Sequence, residues 1–83
     1  MFDGIDLSNR FPTDPIPQTI IGSIYNKLGD FELAIKYHNQ AILLKSNYSE
    51  AYYNRANALV GLRKLSEAAI NYKIALKYKP TDY

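Results

Sequence analysis

His38 is the one side chain of this sequence whose ordinary pKa lies near neutrality. As a general base it would need a nucleophile or acid held nearby, and as a metal ligand two or three companions. The sequence supplies neither. There is no cysteine, which excludes thiolate catalysis, a thiolate metal site and a disulfide framework. No Ser, His and Asp stand at spacings that suggest a triad. "LGDFE" and "LVGLRK" hold single glycines, not a loop that cradles phosphate. Catalysis is therefore not expected, and neither a cofactor nor a metal is called for. The remaining chemistry is recognition. Lys36, Lys45, Lys64, Lys73, Lys77 and Lys79 raise the question of RNA, which basic clusters bind through phosphate. They are interspersed with apolar and uncharged residues, and the net charge is only +2. A solvated surface accounts for them, so no nucleic-acid partner is expected; a weak RNA-binding helical domain ranks last among the readings.

The stretch "SEAYYNRANALVGL", residues 49–62, is more telling. Tyr52 and Tyr53 are neighbours, and neighbours on a helix point about 100° apart. Both cannot fill one core. One is expected to pack and the other to face outward, beside Asn54 and Asn57.

The elements that must position these residues are helices. Residues 1–14 read as irregular: Gly4 and Pro12 break any helix and no strand alternation appears, so the segment is either disordered or, through Phe2, Ile5, Leu7 and Phe11, suited to cover an open helix face or to lie in a neighbour's groove. From Pro17 the spacing turns helical. Ile20, Ile21, Ile24, Tyr25 and Leu28 form one apolar stripe, stopped by Gly29, with Asp30 as the next N-cap. Phe31, Ala34, Ile35, His38, Ala41 and Ile42 form a second, which gives His38 an aromatic core place. "KSNYS" separates it from Tyr52, Ala56, Leu59 and Leu62. The fourth stripe is Leu65, Ala68, Ala69, Tyr72, Ala75 and Leu76, ended by Pro80. No apolar run approaches the roughly 18 residues of a membrane span, and no signal peptide opens the chain. A cytoplasmic protein without a membrane partner is expected. Short loops make consecutive helices antiparallel.

Sliding the chain by 34 residues sets Leu28 on Leu62, Ala34 on Ala68, Ala41 on Ala75 and Lys45 on Lys79. Small residues recur where helices must approach closely. With Ile21, Gly22 and Tyr25, then Tyr52, Ala56, Tyr72 and Pro80, the sequence resembles the tetratricopeptide repeat, a 34-residue helix–turn–helix unit. Two such units, 15–48 and 49–82, cover 68 of the 83 residues. Gln18, His38, Ser46, Arg55 and Arg63 depart from the pattern, and the first unit is degenerate at its start. The resemblance implies an all-α fold of two stacked antiparallel helix–turn–helix hairpins, a short right-handed solenoid.

It also implies a function. In that family the first helix of each unit lines a concave groove that holds a peptide or partner helix. Carried over, the groove would be Thr19, Ser23 and Asn26 in the first unit and Glu50, Tyr53, Asn54, Asn57 and Val60 in the second. An Asn amide both donates to and accepts from a peptide backbone. One branch of the family grips carboxylates with paired Lys and Asn; Thr19, Ser23 and Tyr53 stand where its lysines would, so strong carboxylate binding is not expected. The fourth helix carries Ile70, Ile74 and Tyr78 opposite its core arc. A helix apolar on two sides is normally buried on both. Self-association into a homo-oligomer is expected through Ile70, Ile74 and Tyr78, or through the open face near Tyr72 and Leu76. The expected function is a protein-interaction module. The alternative is an accessory or scaffold segment of a larger enzyme or complex, for example one associated with a transferase.

Overall fold

The computed structural model describes residues 14–79. Four α-helices follow one another: α1 (Ile16–Leu28), α2 (Phe31–Leu44), α3 (Ser49–Gly61) and α4 (Leu65–Tyr78). No strand occurs among the described residues. The segment expected to be irregular lies, but for Asp14, outside the described residues, as does the helix-ending Pro80.

Each boundary has a local cause. Pro15 and Pro17 sit at the start of α1, where a proline's missing N–H costs nothing and its fixed φ suits the first turn. The Asp14 carboxylate accepts from the Ile16 N–H at 2.9 Å. Gly29 ends α1 at φ 84°, while the Gly29 and Asp30 N–H groups donate to the Asn26 and Tyr25 carbonyls. Asp30 then caps α2, accepting weakly from the Leu33 N–H at 3.4 Å. At the equivalent turn of the second hairpin Arg63 takes the left-handed conformation at φ 66°, without glycine's freedom.

The helices pack in sequence, α1 on α2, α2 on α3 and α3 on α4, and α1 also reaches α3. The result is two antiparallel hairpins stacked as a short all-α solenoid. Small residues set the crossings. Ala34, Ala41, Ala51, Ala56, Ala58, Ala68 and Ala75 are buried, with Leu59 and Tyr52. At Gly22 a methyl group would lie 2.4 Å from the His38 ring, and at Gly61 one would lie 2.5 Å from the Phe31 ring. Tyr25 and Tyr37 stack across the first hairpin at 5.8 Å. Arg55, standing where the repeat pattern has Leu, donates to Asn71 Oδ1 at 2.9 Å and to Asn39 Oδ1 at 2.8 Å.

Two apolar stripes do not face the core as expected. On α1 the buried face is Gln18, Thr19 and Gly22, and Ile20, Ile24 and Leu28 are exposed. Gly22 decides this, because only a side without a side chain lets α1 close on His38. On α4 the buried arc is Ala68, Asn71 and Ala75, leaving Leu65, Ala69 and Leu76 exposed. The arc is turned toward Asn71 because Arg55 binds it there.

Candidate functional site

Two connected clefts run along the side formed by α1, α3 and the end of α4. The larger, about 790 Å³, is walled by Tyr48, Tyr53, Tyr72 and Tyr78, with Leu76 and Ala75 beside them. Lys45, Lys79 and Glu50 line it too. The smaller, about 400 Å³, is walled by Ile16, Ile20 and Ile24 with Thr19, Ser23 and Lys27. Tyr48 and Glu50 belong to both and form the ridge between them.

The walls are held by short-range bonds. Ser49 Oγ donates to the Ala75 carbonyl at 2.8 Å and fixes the start of α3 against α4. Tyr53 and Tyr72 meet edge to face at 5.6 Å. The Tyr72 hydroxyl donates to Asn57 Oδ1. The Tyr48 hydroxyl donates to Glu50 Oε1 across a long 3.5 Å, and the Lys45 ammonium lies 5.6 Å from the Tyr48 ring centroid. Burial pushes the Tyr48 phenol above its ordinary pKa, so at neutral pH it stays a neutral donor.

The expected groove residues divide. Glu50 and Tyr53 line the larger cleft, Ser23 and Glu50 the smaller. Thr19 also lines the smaller cleft but is buried, its hydroxyl turned back to the Pro15 and Ile16 carbonyls at 3.0 and 2.9 Å. A hydroxyl bonded to its own helix is a poor ligand contact. Asn26 Nδ2 donates to the Asn54 carbonyl at 3.1 Å and so ties α1 to α3. Asn57 is engaged by Tyr72, Asn54 is half-buried, and Val60 is exposed outside both clefts.

The expected self-association residues divide as well. Tyr72, Leu76 and Tyr78 line the larger cleft. The Tyr78 ring lies 5.8 Å from that of Tyr52, inside the second hairpin and not on a detached outer arc. Ile70 is exposed, whereas Ile74 is half-buried. Sequence reasoning missed Tyr48, Lys45 and Ser49, which lie in or beside the "KSNYS" loop. A tyrosine in an otherwise polar loop of four residues was the available signal. Among the described residues no three metal-ligating side chains cluster, and no helix is long and apolar enough to cross a membrane.

Family models described as TPR repeat and tetratricopeptide repeat match residues 22–62 and 49–82. The chain belongs to the tetratricopeptide repeat family. The two matches extend over both helix hairpins, and repeats of this kind point to a protein-interaction module. Among curated proteins, this tetratricopeptide chain is 33% identical over 72 residues to RNA polymerase II-associated protein 3 from Homo sapiens. The protein of the same name from Mus musculus matches to the same extent. The match takes in 87% of this chain but spans 11% of the length of those relatives. No solved structure matches.

Proposed function

We propose that this tetratricopeptide chain holds a segment of a partner protein along the two clefts, with an apolar or aromatic side chain of that segment entering the tyrosine-walled one. The observation that carries this is Tyr53. It is about half exposed, yet braced by Tyr72, so a large aromatic surface stands open and pre-positioned. Rigid, accessible tyrosines are common anchors at interfaces because they bury much area with little entropy to lose. Lys45 on the same wall favours acidic flanks around the anchor. Cytoplasmic residence goes with this reading, and cell fractionation tests it.

Fluorescence anisotropy with labelled peptides tests the cleft. A peptide with a central Tyr or Leu between acidic residues should bind at least tenfold more tightly than the same peptide flanked by lysines. Tyr53→Ala should weaken the acidic peptide by at least tenfold, about 1.4 kcal/mol, with the melting temperature moved by only a few degrees. Equal binding by Tyr53→Ala rejects the tyrosine cleft as the site.

A second reading rests on the relatives. Their much greater length suits a scaffold segment within a larger assembly, and their name points to an assembly associated with RNA polymerase II. Co-purification of RNA polymerase II subunits with the chain supports it, and their absence from such a preparation counts against it.

A further inference from the structure

We infer that the two ends of the solenoid are complementary and that a second copy of this chain docks head to tail, the α1 side of one copy on the α4 side of another. The argument comes from the junction the molecule already contains. Inside the chain the second hairpin sits on the first, and the 34-residue register says which residues each end presents in the same places.

On α3, Asn54 receives the Asn26 amide of α1, so the helical line through Asn54 is the side turned to the first hairpin. That line is Ala51, Asn54, Ala58 and Leu62, all buried or half-buried. The same places on α1 are Pro17, Ile20, Ile24 and Leu28. Pro17 is half-buried, but among the described residues nothing covers the other three: Ile20 is 55%, Ile24 52% and Leu28 71% exposed.

The other half of the internal junction is on α2. Ile35 packs against the cluster of Ala56, Leu59 and Ala68, and the Phe31 ring lies against Gly61. With His38 and Ile42 these residues are buried or half-buried. Their counterparts on α4 are Leu65, Ala69, Tyr72 and Leu76, at i, i+4, i+7 and i+11 on one stripe. Leu65 is 61% and Leu76 67% exposed.

Part of the size pattern changes sides: Ala69 stands where Ile35 is, and Ile20 and Ile24 stand where Asn54 and Ala58 are. Phe31 keeps a large counterpart in Leu65, while Gly61, against which Phe31 lies, is matched by Lys27, whose stem can lie along Leu65 with its ammonium in water. One polar tie is lost as well. Val60 stands where Asn26 is and has no amide to donate, and the apolar Ile20 side chain stands where Asn54 is, so the junction between copies is the more hydrophobic of the two. Each stripe can therefore be buried by the other, in the geometry the chain already uses once. Because the two faces differ, the contact is heterologous, and it builds chains or a ring rather than a closed symmetric dimer.

The test uses the full chain and reads self-assembly with no peptide present, so that its outcome is separate from that of peptide binding even though Ile20 and Ile24 also wall the smaller cleft. Sedimentation of the wild type should show mass growing with concentration past the dimer. Ile24→Lys spoils one face and Ala69→Lys the other. Each variant alone should be monomeric, and an equimolar mixture should stop at a one-to-one dimer, because one good face of each kind remains. Ile20→Glu and Leu65→Lys serve as a second pair should either first variant lose its helical circular dichroism. A wild-type chain that stays monomeric to about 1 mM overturns the inference, whatever covers the two faces. So does assembly that survives both single variants, or a mixture that remains monomeric.

Discussion

His38 is fully buried, wedged against Gly22, and neither ring nitrogen has a hydrogen-bond partner. Burial is the main reason its pKa is lowered from 6.5 to about 4, and the nearby Arg55 cation adds to it. The folded state therefore keeps the imidazole neutral where the unfolded chain protonates it. Above about pH 6.5 the two states bind the same number of protons; between 6.5 and 4 the unfolded state binds more, and stability falls as pH falls. The loss should approach about 3 kcal/mol near pH 4 and then level off. For a chain of this size that is a large part of the total. Urea titrations across this range should show it, and His38→Leu, close in volume, should abolish the pH dependence of this segment while leaving stability equal or higher at pH 7. An unchanged acid slope in His38→Leu would place the effect elsewhere. The tyrosine doublet is settled at this scale too. Tyr52 packs against Tyr78 and Arg55 and donates to the Ser46 carbonyl at 2.7 Å, so Tyr52→Ala should cost about 3 kcal/mol or more and Tyr52→Phe about 1. Tyr53→Ala loses one edge-to-face pair, about 1 kcal/mol at most. Arg63 carries a strained left-handed turn, and Arg63→Gly should raise stability by about 1 kcal/mol in thermal melts.

At the scale of the helix, Gly22 shows how a close approach overrides propensity. In an exposed helix Gly→Ala is worth about 1 kcal/mol in favour of the helix. Here the new methyl would meet three atoms of a buried ring at 2.4 to 2.9 Å. Gly22→Ala should therefore destabilise by about 1–3 kcal/mol, and in a His38→Ala background the same change should become neutral or stabilising. Chemical denaturation of the four chains reads that change of sign, and a substitution costing the same in both backgrounds would show that His38 is not the obstacle. The same feature explains what was legible beforehand. Helix count, the Gly29 stop, the Asp30 cap and the small residues at the crossings follow from period and local chemistry. The buried face of α1 does not. Reading the most apolar stripe as the core assumes one buried face per helix, whereas a solenoid helix has several. The isoleucines of α1 occupy the face that α3 uses to meet the neighbouring hairpin, so their apolarity answers to a different neighbour. The tyrosine-walled cleft was half legible. Tyr53 and Glu50 lie on a helical stripe that the repeat pattern marks, but Tyr48 comes from a loop whose path no periodicity encodes.

For the whole molecule the question is what makes two hairpins one cooperative unit. Neither α1 nor α2 packs along α4, so the hairpins are joined chiefly through α3. Two kinds of contact do this. Apolar residues of α2, chiefly Phe31 and Ile35, close over α3, and Arg55 spans from Asn39 on α2 to Asn71 on α4. Burial lowers the Arg55 pKa from its ordinary value but leaves the group charged, so the guanidinium must be solvated by these two amides. Replacing Arg55 by the repeat pattern's Leu removes both bonds at once and strips the buried Asn71 of its outside donor. Arg55→Leu should cost about 1–3 kcal/mol, more than either Asn39→Ala or the apolar gain would suggest. Its signature lies in cooperativity. In the wild type, far-ultraviolet dichroism and tyrosine fluorescence should report one coincident urea transition, since Tyr25 and Tyr37 sit in the first hairpin and Tyr52, Tyr53 and Tyr72 in the second. In Arg55→Leu the apolar closure of α2 over α3 remains. A single transition at lower urea therefore means that packing couples the hairpins, and two separated transitions mean that the Arg55 bridge does. The buried area around Phe31 and Ile35 is the stronger of the two contacts, so one transition, shifted down with its slope unchanged, is the expected result.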